Sequence, residues 1–142
     1  MNRAYSLNNL AGAPFHVTGY GILWDSGARL DAAGVAQYDR PPNPEEVEMS
    51  KAWMRMWAKS CDRMNHKRTS YGLKHAVEAW AEWMQTNGYL PGVGSYISNG
   101  AFIQAALEAG YQMQVEPGSP NVCFNIDTSA AECWKGLQNL RA

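Results

Sequence analysis

A strongly periodic apolar pattern over residues 45–65 constrains the fold of this chain more than any other feature. Apolar and small side chains recur there at alternating spacings of three and four residues, which places them on one helical face. This face comprises Val47, Ser50, Met54, Trp57, Cys61 and Met64. The preceding Pro41–Pro42–Asn43–Pro44 run favours a helix start, with Asn43 as N-cap and Pro44 at the first helical position. We therefore predict a long amphipathic helix from Glu45 to Asn65.

The rest of the C-terminal part predicts an α+β fold that is mainly helical, with about four helices. Helical stripes with capping and stop residues also cover Ser70 to Thr86, Asn99 or Gly100 to Ala109, and Ser129 to Leu140. Ser70 and Ser98 are the expected N-caps of the first two of these helices. Alternating apolar residues at 111–115 and 122–126 flank a Pro-Gly turn and predict a β-hairpin. Residues 45–142 are thus one helical domain with a β-hairpin at about 111–126.

Residues 1–44 lack helical periodicity and are punctuated by glycine and proline. The runs Phe15–Thr18 and Gly21–Trp24 could pair as a short hairpin across Gly19 and Tyr20. An irregular arm that wraps around the helical domain fits the same composition equally well. Sequence alone therefore leaves two descriptions of this region, an irregular N-terminal arm or a small hairpin.

Composition indicates one packed domain. The chain has 142 residues, of which 46% are hydrophobic and 18% are charged. No apolar run approaches the roughly 18 residues of a membrane span, and residues 1–15 lack the pattern of a signal peptide. The three cysteines have no CxxC spacing, so we interpret them as reduced thiols. We expect a cytoplasmic protein that does not contact a membrane.

No pattern in the sequence points to catalysis, a metal or a cofactor. Cys61 and His66 are five residues apart, so they would not share one face of a helix, and paired zinc ligands at short spacing are missing. The three histidines have no marked nucleophile near them in sequence. The glycines at 92, 94 and 100 do not match a phosphate-binding loop. We therefore expect a protein that is not an enzyme and has no catalytic residues, metal ligands or cofactor.

Charge is distributed unevenly along the chain. The net charge is −3 over residues 1–50, +6 over residues 51–75 and −4 over residues 76–142. The cations at 51, 55, 59, 63 and 67 advance by four residues and would form a drifting ridge along the predicted helix. Such a ridge can follow phosphates, dock on an acidic protein surface, or simply be a solvated helix face.

A helix followed by a hairpin also suggests a winged-helix module. Residues 100–109 would be its recognition helix and residues 112–126 its wing. Two features count against recognition of DNA by this helix. The helix has no Arg or Lys and carries Glu108, and the connector at 87–98 is longer than the turn of a helix-turn-helix motif.

Four motifs between residues 68 and 126 look like a signature. They are Ser70-Tyr71-Gly72-Leu73-Lys74-His75, Tyr96-Ile97-Ser98-Asn99-Gly100-Ala101-Phe102-Ile103, Gly110-Tyr111, and Pro120-Asn121-Val122-Cys123-Phe124-Asn125-Ile126. They resemble a loose group of small uncharacterised proteins carried by phages, prophages and plasmids. The resemblance implies a setting, since accessory proteins of mobile elements commonly block host defences such as CRISPR systems or regulate transcription.

These observations favour a non-catalytic, anti-CRISPR-like binding protein, with a winged-helix nucleic-acid-binding regulator as the alternative. The expected partner is a host protein or ribonucleoprotein complex, or else DNA or RNA. The expected contact residues are Lys59, Arg63, Lys67, Arg68, Lys74 and His75, with Trp53 or Trp83 as exposed anchors. We expect residues 71–126 to be the structural core that presents this basic region, with Tyr71, Asn99, Gly100 and Asn125 fixing caps and turns.

Overall fold

The structure, a computed structural model, describes residues 4–25, 40–90 and 94–130. Within these ranges the fold is mixed α+β, with three α-helices and small antiparallel sheets, and this confirms the predicted class. The helices are α1 (Pro44–Trp57), α2 (Ser70–Thr86) and α3 (Asn99–Glu108). The strands are β1 (Ala4–Tyr5), β2 (Phe15–Thr18), β3 (Gly21–Trp24), β4 (Lys59–Ser60), β5 (Met113–Val115), β6 (Val122–Phe124) and β7 (Ile126–Asp127). The helix predicted near Ser129 to Leu140 lies, beyond its first two residues, outside the described residues.

Helix α1 begins as predicted but ends at Trp57, eight residues before the predicted end at Asn65. At its start, the Asn43 side chain accepts hydrogen bonds from the amides of Glu45 and Glu46, at 2.8 and 3.3 Å. At its end, Ala58 is extended and β4 pairs with β7. The periodic pattern from residue 58 onward was therefore misleading, because pairing with a distant strand replaces the helical hydrogen bonds. The predicted ridge of cations on one helix is wrong for the same reason.

Helix α3 lies at the centre of the fold, where it packs against α1, α2 and the β2–β3 hairpin. Eight of its ten residues are buried, which small side chains such as Ala101 and Ala105 make possible. The Ser98 hydroxyl accepts from the amide of Ala101 at 3.1 Å and is the predicted N-cap. Because so much of α3 is buried, it has no broad free face to place in a DNA groove.

Helix α2 has the predicted bounds and buries Leu73, Val77 and Trp80 against this core. Burying side chains of this kind contributes about 1.5–3 kcal/mol each. Its N-cap is Thr69 and not Ser70. The Ser70 hydroxyl instead accepts a hydrogen bond from the amide of Val122 at 3.1 Å, which ties the start of α2 to β6.

The predicted hairpin at about 111–126 is present, and so is a short hairpin at residues 15–24, one of the two descriptions that the sequence left open for residues 1–44. Strands β2 and β3 pair from Phe15 opposite Trp24 to Thr18 opposite Gly21. Strands β5 and β6 pair from Met113 opposite Phe124 to Val115 opposite Val122. Strand β1 adds to β5 and completes a three-stranded sheet in the order β1-β5-β6, a pairing that the sequence did not indicate. None of the helices within the described ranges is long and apolar enough to cross a membrane.

Candidate functional site: a tyrosine cleft beside a cationic segment

Four separate segments of the chain meet at a cleft of about 350 Å³, which we call the tyrosine cleft. They are the β2–β3 turn, the first turns of α2, the end of the connector with the start of α3, and the β5–β6 turn. The cleft is lined by Gly19, Tyr20, Tyr71, Lys74, Tyr96, Asn99, Pro120 and Asn121. Several of these residues belong to the four signature motifs, so residues far apart in sequence form one surface.

Three tyrosines of the cleft are exposed to solvent. Tyr20 is 44% exposed, Tyr71 is 50% exposed and Tyr96 is 66% exposed. Large aromatic side chains are costly to leave in water, and clusters of them on a surface mark interaction sites. The ring of His75 extends this cluster, because it meets the Tyr71 ring edge-to-face at a centroid distance of 4.6 Å.

Lys74 lies at the base of the cleft and is only 6% exposed. Its Nζ is 5.2 Å from the ring centroid of Tyr71 and 4.8 Å from that of Tyr96, within the range of cation–π attraction. The same Nζ donates a hydrogen bond to Glu78 Oε2 at 3.2 Å. Lys74 therefore belongs to the site as predicted, but as a buried cation that two tyrosine rings and a carboxylate hold in place.

Glu78 connects the cleft to the connector before α3. Its Oε2 also accepts from the amide of Ile97 at 3.0 Å, and its Oε1 lies 2.7 Å from His75 Nδ1. Burial alone would raise the pKa of Glu78, but the hydrogen bonds from Ile97, His75 and Lys74 outweigh burial and hold that pKa below its usual value. The carboxylate is thus charged and fully engaged.

Asn99 joins the two turns on the opposite wall of the cleft. Its Nδ2 faces three acceptors. They are the carbonyl oxygen of Tyr20 at 3.4 Å, the carbonyl oxygen of Pro120 at 3.0 Å and Asn121 Oδ1 at 2.9 Å. Its Oδ1 is buried and has no hydrogen-bond partner within the described ranges. The three acceptors around Nδ2 fix which end of the amide is the nitrogen.

Two glycines allow these walls to approach each other. A Cβ on Gly100 would lie 1.5 Å from the carbonyl oxygen of Thr18, so only glycine lets α3 meet the β2–β3 hairpin. Gly21 has a φ of +134°, and a Cβ there would lie 2.4 Å from the carbonyl oxygen of Pro120. The cleft is therefore built on contacts between backbones.

The remaining predicted cations are next to the cleft, in residues 59–68, which we call the cationic segment. Its backbone follows β6 and β7: the amide of Cys61 donates to the carbonyl of Asn125 at 3.1 Å, and the amide of Asn65 donates to that of Phe124 at 2.8 Å. Since Ser70 then meets Val122, the segment runs along β6 toward the cleft. Lys59, Arg63 and Lys67 are exposed and Arg68 is half-buried.

The two predicted tryptophan anchors do not join this surface. Trp53 is 1% exposed and packs on Phe102 in the core, so its assignment as an exposed anchor is wrong. Helix α3 packs against α1 and contributes Phe102 to the contact with this side chain. Trp83 is half-buried and stacks on Tyr89 at a centroid distance of 5.8 Å, away from the residues that line the cleft.

Sequence reasoning missed Tyr20, Tyr96 and Asn121 as parts of one site. The available signal was local: Tyr20 stands between two glycines, and Tyr96 follows Gly94 and Ser95, so both were expected in turns. Asn99, Gly100 and Asn125 do hold turns together, as expected. Tyr71 differs, since its side chain faces the cleft and is half exposed.

Among residues 4–25, 40–90 and 94–130, no group of three or more His, Cys, Asp or Glu side chains is placed to hold a metal ion. Comparison with known proteins adds no further assignment, because no family model, no curated protein and no solved structure matches this chain.

Proposed function

We propose that this protein acts by binding and not by catalysis, and that the tyrosine cleft and the cationic segment form its contact surface. The observation that carries the proposal is the cluster of exposed tyrosines around a buried lysine, at a point where four segments of the chain meet. Exposed aromatic anchors beside flexible cations are typical of contact surfaces for macromolecules.

The partner that we propose is a host-defence protein or ribonucleoprotein complex, of the CRISPR kind, in the cytoplasm of a bacterial host. The resemblance of the motifs to proteins of mobile elements supports this setting. Those motifs supply Tyr71, Lys74, Tyr96, Asn99 and Asn121, all of which line the cleft. Binding at this surface would block the defence complex by occupying a site that it needs.

The test combines capture with a biological readout. Tagged protein is incubated with lysate from a host that carries a known defence complex, and captured proteins are identified by mass spectrometry. We expect a component of that complex to be recovered by the wild type and lost with the Tyr71→Ala/Tyr96→Ala double variant. Tyr89→Ala is the matched control, because Tyr89 is equally exposed but stacks on Trp83 outside the cleft.

The same variants are then compared by phage plating on the defended host. Expression of the wild type should raise the plating efficiency, and the double variant should not. If no defence component is captured and plating is unchanged, the proposed partner is wrong.

A winged-helix nucleic-acid-binding regulator is the second candidate. It is supported by the β5–β6 hairpin that follows α3 and by the exposed cations Lys59, Arg63 and Lys67. The burial of α3 counts against it, because a recognition helix needs a free face. This candidate predicts sequence-specific binding to duplex DNA, and a gel-shift assay that shows equal affinity for unrelated duplexes would exclude it.

A further inference from the structure

The tyrosine cleft already contains a cation of its own. Rings arranged around a pocket are a common way to bind a quaternary ammonium or methylated lysine. Here Lys74 Nζ takes that position, 4.8 Å from the centroid of Tyr96 and 5.2 Å from that of Tyr71. A cationic ligand would have to displace a buried side chain that Glu78 also holds. The cleft therefore disfavours a cationic ligand and favours a ligand that offers a flat apolar surface to the rings.

The polar groups of the cleft suit the edge of a nucleobase. Asn121 lines the cleft, and its Oδ1 accepts a hydrogen bond from Asn99 Nδ2 at 2.9 Å, which orients the Asn121 amide in the cleft. Amide side chains recognise bases through the N–H and carbonyl groups on the base edges. Tyrosine rings provide the stacking platform that is common in proteins that bind single strands.

The charges around the cleft give a path for a chain of phosphates. The cationic segment approaches the cleft along β6 and presents Lys59, Arg63 and Lys67 to solvent. On the other side of Tyr96, the neighbouring groove is lined by Glu45 and Glu46, which repel phosphates. A polyanion bound at the cleft would therefore extend toward the cationic segment and away from the start of α1.

We propose that the tyrosine cleft holds one nucleotide of a single-stranded nucleic acid. The base lies against the exposed rings of Tyr71 and Tyr96, and the phosphates lie toward the cationic segment. This inference rests on the proposed function of the same surface and names the chemistry that the surface recognises. In a ribonucleoprotein partner, the bound strand would be an exposed part of the guide or target.

The experiment is a fluorescence anisotropy titration of a labelled oligothymidylate with the purified full chain at low and at high salt. We expect Tyr71→Ala and Tyr96→Ala each to weaken binding about ten-fold, the effect of losing one stacked base. The control Tyr89→Ala changes a ring outside the cleft and should bind like the wild type. Lys67→Ala should reduce the dependence of affinity on salt. Far-UV circular dichroism checks that every variant is folded.

Two competitors identify the source of the ligand. Unlabelled thymidine monophosphate should compete much more weakly than the oligonucleotide, and polyglutamate of equal charge should not compete through the cleft. Absence of oligonucleotide binding at low salt, or equal loss with Tyr89→Ala, overturns the inference. Competition by polyglutamate that depends on Tyr71 and Tyr96 also overturns it, in favour of an acidic protein segment.

The two proposals fail separately. If oligonucleotides do not bind but a defence component is still captured in a cleft-dependent way, the inference about nucleic acid is wrong and the proposed function stands. If oligonucleotides bind through the cleft but neither capture nor phage plating responds, the proposed partner is wrong and the inference stands.

Discussion

In the tyrosine cleft, the side chains that line the site also hold the fold together, whereas in the cationic segment the backbone does so. Lys74, Glu78 and Asn99 are buried or half-buried and connect the cleft to α2, α3 and two turns. Lys59 and Lys67, by contrast, are exposed, and their segment is fixed mainly by main-chain bonds to β6 and β7, with one added bond each from the side chains of Asn65 and Asn125. A change in the cleft therefore alters stability and binding together, while a change of a cation in the segment alters binding alone.

The largest effect is expected where the two walls of the cleft touch. Gly100→Ala places a Cβ 1.5 Å from the carbonyl oxygen of Thr18, so α3 and the β2–β3 hairpin must separate. We expect a loss of at least about 3 kcal/mol in the free energy of unfolding, measured by urea denaturation.

Gly72→Ala is the matched control for that experiment. Gly72 lies in α2 with nothing within 4 Å of an added Cβ. Alanine there should stabilise the protein by roughly 0.5–1 kcal/mol, because it reduces the flexibility of the unfolded chain and favours the helix. The close approach of α3 to the β2–β3 hairpin would be contradicted if Gly72→Ala also lowered the free energy of unfolding, or if Gly100→Ala did not lower it.

The next effect compares two carboxylates that pair with lysine. Glu78→Gln leaves the buried Lys74 ammonium without its counter-charge, and we expect a loss of about 2 kcal/mol. Glu108→Gln removes the ion pair that joins α3 to Lys51 of α1. The Glu108 side chain is 33% exposed and the Lys51 side chain is 23% exposed. For this more exposed pair the expected loss is below about 1 kcal/mol. Equal losses in urea denaturation would show that the cleft pair has no special structural role.

The contribution of Glu78 should also appear in the dependence of stability on pH. The pKa of Glu78 is below its ordinary value of 4.5, so the folded state favours the charged form. The stability that Glu78 contributes is fully present above pH 4.5, the pKa of Glu78 in the unfolded chain. It is lost as the pH falls through the lower pKa of Glu78 in the folded protein. The wild type should therefore lose stability on acidification more steeply than Glu78→Gln. Parallel curves from urea denaturation across the acidic range would contradict this assignment.

A smaller effect is expected at the anchor of the cationic segment. Asn125 Oδ1 accepts from the amide of Gln112 at 2.7 Å, and its Nδ2 donates to the carbonyl of Cys61 at 3.2 Å. Asn125→Ala should cost about 1–2 kcal/mol. Hydrogen exchange should accelerate at Cys61 and Asn65 while the core of α2 stays protected, whereas uniform acceleration would indicate global unfolding instead.

The smallest effect on stability is expected for the exposed cations. Lys59→Ala and Lys67→Ala should each change the free energy of unfolding by less than about 0.5 kcal/mol. Their effect should appear in partner binding and in its salt dependence. A larger change in thermal stability would show that these side chains also hold the fold.

The sequence predicted the elements whose signals are local. The bounds of α2, the N-cap of α3 at Ser98 and the β5–β6 hairpin follow from caps, stop residues and turns close to each element. The β2–β3 hairpin was one of two descriptions that the sequence left open. The end of α1 was missed because residues 59 and 60 pair with residues 126 and 127, and no local signal reports such a distant strand. The tyrosine cleft was missed for the same reason, since it combines turns near residues 20, 96 and 120. The basic region was predicted from charge, but burial of Lys74 and Trp53 depends on tertiary packing.

The contact between the β2–β3 hairpin and α3 also constrains how the protein folds. Tyr20 and Asn99 are 79 residues apart in the chain, and the amide of Gly100 donates to the carbonyl of Gly19 at 3.2 Å. Closing so long a loop is slow relative to forming a helix. During synthesis, the hairpin is made well before α3, so it stays undocked until the residues of α3 have also been made. The tyrosine cleft also needs Asn121, so it can form only after all four segments that line it have been made.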